Sequence, residues 1–218
     1  MVKPKSLDPT IVDAASLFDA SEVIAERISR SKVTIDYSKL RECLDSLRRQ
    51  HGWRPASPNT IVLSIDPNSE GQRRFQDMLR HAGFEVDVVH FRDTFVSVPP
   101  GRSPNEMSSK PIVSLAPRIA YVAGLMARFD DPQLLVISHG FELYGPLIDL
   151  RRRLASSRVG IAYFGSLLDY RWKLAGLFDG KLDVEFFDLD LHSDDLLGVD
   201  LVGRTGVAPD ARNGLGRF

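Results

Sequence analysis

Short runs of apolar, often β-branched residues recur along this chain, and between them the apolar positions fall into helical spacing. Thr60 to Ile65, Leu134 to Ile137, Val159 to Phe164 and Val184 to Leu189 are such runs, and Thr10-Ile11-Val12-Asp13 is a shorter one. Segments apolar at nearly every position suit strands that are covered on both faces. Glu85 to Phe91 alternates instead, with Val86, Val88 and Val89 as its apolar content. Tyr37, Leu40, Leu44 and Leu47 mark one helix; Phe75, Met78 and Leu79 mark another, which runs to a C-capping Gly83. Ile112, Leu115, Ile119, Val122 and Met126 share a helix face, and Pro117 kinks that helix or sets its start nearby. Leu143, Leu147, Leu150 and Leu154 line a further helix, and Leu167 to Phe178 reads as the last one. Strand–helix alternation of this kind predicts a three-layer α/β/α fold on a mostly parallel sheet.

At 218 residues the chain suits one domain, here expected over 10–202, with an arm at 1–9 and a disordered tail at 203–218 rich in Gly, Arg and Asn. The stretch Thr94 to Lys110 reads as a long irregular loop, because prolines, a glycine and serines crowd it. A formal net charge of −1 gives no global attraction to nucleic acid or anionic membrane, so any basic surface must be local. One cysteine, Cys43, excludes an internal disulfide framework and a cysteine-rich zinc site. No apolar run reaches the roughly 20 residues that span a bilayer, and Met1 to Lys5 lacks a secretory apolar stretch. The expectation is a cytoplasmic protein with no membrane partner.

Chemistry in open α/β sheets gathers at the carboxyl ends of strands. The acids there are Asp13, Asp66, Asp93 and, just past its strand, Glu142. Asp13 and Glu142 are expected to converge on one hard cation if their strands are neighbours; Mg²⁺ or Mn²⁺ takes oxygen ligands and often only one or two from protein. The plainer alternative is that these acids cap helices or sit in solvated turns, and Asp66 before Pro67-Asn68 is especially turn-like. Leu134 to Ile137 runs into Ser138-His139-Gly140, where His139 is a candidate for binding phosphate, shuttling a proton or touching a metal. Ser138 is a candidate helix cap; the turn lacks the flanking glycines of a nucleophile elbow, which argues against serine hydrolysis. No phosphate-loop or dinucleotide fingerprint is present. Basic residues cluster as Arg151-Arg152-Arg153 with Arg158, as Arg171 and Lys173 beside Tyr170 and Trp172, and as Arg48-Arg49 with His51 and Trp53. Arginine near aromatics suits backbone-and-stacking contact with single-stranded nucleic acid, against the alternative of solvated helix faces.

The order of these pieces resembles the NYN family of PIN-like ribonucleases. Ile11 to Phe18 resembles the family's first strand with its terminal acid, Phe84-Glu85-Val86 its strand after a glycine, and Lys110 the start of its lysine-marked helix. Leu135 to Leu147 resembles its serine-and-acid segment, and Phe186 to Leu189 its closing strand. The resemblance covers Thr10 to Leu191 in order. It implies a metal-dependent ribonuclease with Asp13 and Glu142 as Mg or Mn ligands, Asp66 a candidate third and Lys110 near the scissile phosphate. Ser138, His139, Arg151, Arg152, Arg171 and Lys173, read from their own chemistry, are the further candidates toward RNA. The pattern is incomplete. Ser16 stands where the family has asparagine, no acid follows Lys110 until Asp130, and His139-Gly140 replaces glycine and aspartate. Three readings follow: a divergent ribonuclease, a catalytically silent domain of the same build that binds RNA or a protein partner (a second copy included), and a different α/β enzyme using Asp13 or Asp66 as phosphoryl acceptor.

Overall fold

The computed structural model of the chain describes residues 6–28, 33–65, 70–90, 115–178 and 183–197. Six parallel strands form one sheet: β1 (Thr10–Asp13), β2 (Asn59–Ile65), β3 (Glu85–His90), β4 (Gln133–Ile137), β5 (Arg158–Tyr163) and β6 (Val184–Asp188). Their order across the sheet is β3-β2-β1-β4-β5-β6. The sheet is parallel throughout, so the expected three-layer α/β/α architecture holds in a stricter form. β1 pairs with β2 on one side, where Asp13 lies opposite Val62, and with β4 on the other, where Val12 lies opposite Ile137.

Helices α1 (Ala14–Arg27), α2 (Tyr37–Gln50) and α3 (Glu70–His81) cover one face; α4 (Ala116–Met126), α5 (Tyr144–Arg153) and α6 (Tyr170–Phe178) cover the other, and a single turn, α7 (Ser193–Leu196), closes the described chain. The pleat dictates this division. Val12, Ile61, Leu63, Leu135, Ile137, Ala162 and Phe187 point into one core with Leu17, Ile24, Leu40, Leu44 and Leu79. Ile11, Val62, Leu134, Val136, Val159 and Ile161 point into the other with Ile119, Val122, Met126, Leu147, Leu150 and Trp172. Both faces being buried, β4 has no exposed position at all, which is why it reads as a continuous apolar run.

Helix starts follow local chemistry. Asp13 and Asp36 cap α1 and α2 through their carboxylates. Pro117 sits in the first turn of α4, whose start near that proline is as expected. Gly83 takes a positive φ of 90° and lets the chain turn from α3 into β3. Among the described residues no helix is long and apolar enough to cross a membrane. The loop expected at 94–110, Asp66, Asp93, Lys110 and the tail at 203–218 lie outside the described residues.

Candidate functional site at the carboxyl edge of the sheet

The strand order reverses between β1 and β4, and the crevice at their carboxyl ends is the place where open sheets of this kind take ligands. Asp13, Ser16 and Ser138 meet there, each at least nine-tenths buried. Asp13 ends β1 and caps α1: Ala15 N–H donates to its Oδ1 at 3.0 Å, and Ser16 Oγ donates to its Oδ2 at 2.7 Å. Ser138 ends the β4 run, and its Oγ lies 3.5 Å from both Asp13 Oδ2 and Ser16 Oγ. The N–H groups of His139 and Gly140 donate to Ser16 Oγ and Ser138 Oγ, each at 3.4 Å. A net of hydroxyls and amides therefore ties β4 to the head of α1.

Burial holds the Asp13 carboxyl above its ordinary range; the hydrogen bonds from Ser16 and Ala15 oppose this, and the negative charge of Glu142 adds to it. Glu142 lies in the short 3-10 turn Phe141–Leu143 and is exposed. Its carboxylate folds back over Gly140, in the place that a Cβ there would take. Arg171 also feels that carboxylate.

His139 turns away from Asp13. Its Nε2 accepts from Phe164 N–H at 3.1 Å, which places the ring proton on Nδ1. Burial pushes its pKa down to about 4, so the ring is neutral at neutral pH and does not offer a phosphate a charge. It pins the end of β4 to the end of β5.

The outer wall of the crevice is aromatic. Phe141 stacks on Tyr144 with centroids 4.9 Å apart, and both meet Trp172 edge-on. Trp172 is buried, and its indole N–H donates to Gly140 O at 3.2 Å. The Arg171 guanidinium lies over the Phe141 ring, 4.8 Å from its centroid. Asp169 holds that guanidinium on two nitrogens, at 3.0 Å (Nε) and 2.6 Å (Nη2). Tyr170 and Lys173 are exposed beside it.

The expected residues thus divide. Asp13, Ser138, Glu142 and Arg171 come to one end of the sheet, with Lys173 on the same helix as Arg171. Arg151 and Arg152 do not join them. α5 runs back from the crevice, so its last turn lies at the amino edge, where Arg151 donates to Ser157 O and pairs with Asp183 at 2.8 Å. Arg152 sits in the same last turn. Phe141 and Asp169 were not singled out from the sequence. The Asp169-to-Arg171 spacing, at the foot of a helix, is the signal that would have found the clamp: Arg171 N–H also donates to Asp169 Oδ1, at 2.9 Å.

The donor set decides what a metal would find. Among the described residues no group of three His, Cys, Asp or Glu side chains is placed to hold an ion. Both Asp13 oxygens already accept hydrogen bonds, and Glu142 has Arg171 as a neighbour. These residues do not fit an acid-rich Mg²⁺ or Mn²⁺ centre. Compared with models of protein families, with curated proteins and with solved structures, the chain matches none.

Proposed function

We propose that this chain is an NYN/PIN-like protein that acts on RNA at the β1–β4 crevice, and that it holds RNA there without requiring a metal ion. The observation that carries this reading is the placement, beside the switch point of a parallel sheet, of an aromatic cluster bearing the half-exposed Arg171, with exposed Tyr170 and Lys173 next to it. Aromatic and guanidinium planes suit unstacked bases, and an exposed lysine suits a phosphate. The order of motifs from Thr10 to Leu191 supports the same reading.

The test is the affinity of the full chain for a fluorescent single-stranded oligouridylate, measured by anisotropy in EDTA across a salt series. The expected result is binding that persists in the chelator and weakens as salt rises. Absence of binding at low salt, or binding that appears only with Mn²⁺, overturns it.

A second reading, a Mg²⁺- or Mn²⁺-dependent endoribonuclease, is favoured by the buried charge of Asp13 beside Glu142, since a cation would relieve both. It needs further acids, of which Asp66 lies outside the described residues. Calorimetry distinguishes it: micromolar Mn²⁺ binding (about −8 kcal/mol) that vanishes in Asp13→Ala supports cleavage, and the absence of heat in both proteins removes it.

A further inference from the structure

At the carboxyl edge an arginine rests on a stacked aromatic pair. Phe141 stacks on Tyr144 with only 17° between the ring planes, and the Arg171 guanidinium lies on Phe141. An arginine side chain in solvent samples many rotamers, so a guanidinium resting on a ring normally loses entropy by staying there. Here Asp169 removes that freedom in advance, because its carboxylate grips Nε and Nη2 and fixes the plane. The clamp also draws the Asp169 carboxyl below its ordinary range, so it stays ionised through the physiological span. About half of the Arg171 side chain (53%) remains in solvent, and Tyr170 next to it is 68% exposed.

The same motif at the other end of the sheet shows what a purely structural version looks like. Arg48 and Arg158 lie over Trp53, 5.2 and 4.9 Å from its centroid. Arg48 is wholly buried, and Arg158 is tied to Glu185 and to the carbonyls of His51 and Gly52. Arg48 is enclosed by the fold, and the Arg158 guanidinium, though 35% exposed, is taken up by a carboxylate and two backbone carbonyls. Arg171 is held rigid yet left half open, next to exposed Tyr170 and Lys173.

We infer that the Asp169-clamped Arg171–Phe141 stack is a seat for one unpaired nucleobase of a single-stranded RNA bound at the carboxyl edge of the sheet. The inference rests on the RNA reading above and sharpens it, because a base buried inside a duplex cannot reach such a plane. The guanidinium offers a π-face and a positive charge to any base, so the seat is tolerant of sequence. Exposed Lys173 supplies a cation for the neighbouring phosphate.

The experiment compares oligouridylate affinity in EDTA for the full chain and for Arg171→Lys, Arg171→Ala, Phe141→Leu and Asp169→Asn, with melting curves to confirm folding. Arg171→Lys keeps the charge and loses the plane. The expected result is a loss of at least about five-fold in Arg171→Lys, with the salt slope unchanged, and a smaller loss in Asp169→Asn. A strand carrying abasic sites is expected to bind the wild type more weakly and to be indifferent to Arg171→Lys. If the wild type binds RNA while Arg171→Lys and Phe141→Leu bind equally well, the seat is overturned and the RNA reading stands. If the wild type binds no single strand at low salt, the RNA reading fails and the seat with it. Wild-type preference for a duplex of equal length also overturns the seat.

Discussion

The two ends of the sheet are built from similar residues and treat them differently. At the amino edge most charge is closed on charge, although the Nη2 of buried Arg48 has no hydrogen-bond partner. Asp8, buried, is held by Arg54 through two nitrogens at 2.7 and 2.8 Å, and Arg54 also pairs with Asp131 at 3.0 Å. Arg48 donates to Arg54 O and Thr10 Oγ1, and Gln133 accepts from Arg54 N–H at 2.7 Å. The Trp53 indole N–H and Arg158 share Glu185. At the carboxyl edge the accounts are left open: a buried acid is held above its ordinary range, Glu142 is exposed, and Arg171 is half in solvent. The amino edge commits its charges to the fold, whereas the carboxyl edge leaves Glu142 and Arg171 in solvent, as the proposed RNA site requires.

The largest effect is expected at the closed end. Arg54→Ala leaves Asp8 buried without its partner and should cost about 3–5 kcal/mol in urea unfolding; a loss below about 1 kcal/mol would break the contrast. His139 belongs to the carboxyl edge yet acts structurally, and pH reveals it. Its folded pKa of about 4 lies below the unfolded 6.5, so its contribution is complete above pH 6.5 and is lost as pH falls toward 4. That window is worth on the order of 3 kcal/mol. Urea midpoints measured at pH 7 and pH 4.5 should converge more in His139→Gln than in the wild type.

Asp13→Asn should move stability the other way. Its folded pKa is raised, so the ionised form costs stability that grows as pH rises from the unfolded value through the folded one. Asparagine keeps the helix cap and removes the buried charge. A gain of about 0.5–2 kcal/mol at pH 7 is expected, and a loss would mean that the carboxylate is stabilising where it stands. The smallest effect belongs to Arg153→Ala, which removes an exposed pair with Asp149 in the last turn of α5. It should cost no more than about 0.5 kcal/mol and leave RNA affinity unchanged, because that turn lies at the amino edge.

Much of the sheet was legible because strands buried on both faces declare themselves: β4 and β5 read almost to the residue. α1 was not. Its stripe of Ala14, Leu17, Ala20 and Ile24 is diluted by small and polar neighbours, and Asp13 reads as the end of a strand before it reads as the cap of a helix. Asp13, Ser138 and Glu142 were legible as strand-end chemistry, since their positions follow from local sequence. The directions of Arg151 and Arg171 were not, because which edge a basic cluster reaches depends on where its helix ends. The Phe141–Arg171 stack lay further out of reach, joining residues thirty positions apart across two elements.

The most direct test of the open edge is photo-cross-linking of a single-stranded oligouridylate to the full chain in EDTA, with the adducts mapped by mass spectrometry. Aromatic side chains stand at both ends, so the chemistry can report either. The expected adducts fall on Phe141, Tyr144 or Tyr170. Adducts confined to Trp53 and His51, or none at low salt, would contradict the assignment of RNA to the carboxyl edge.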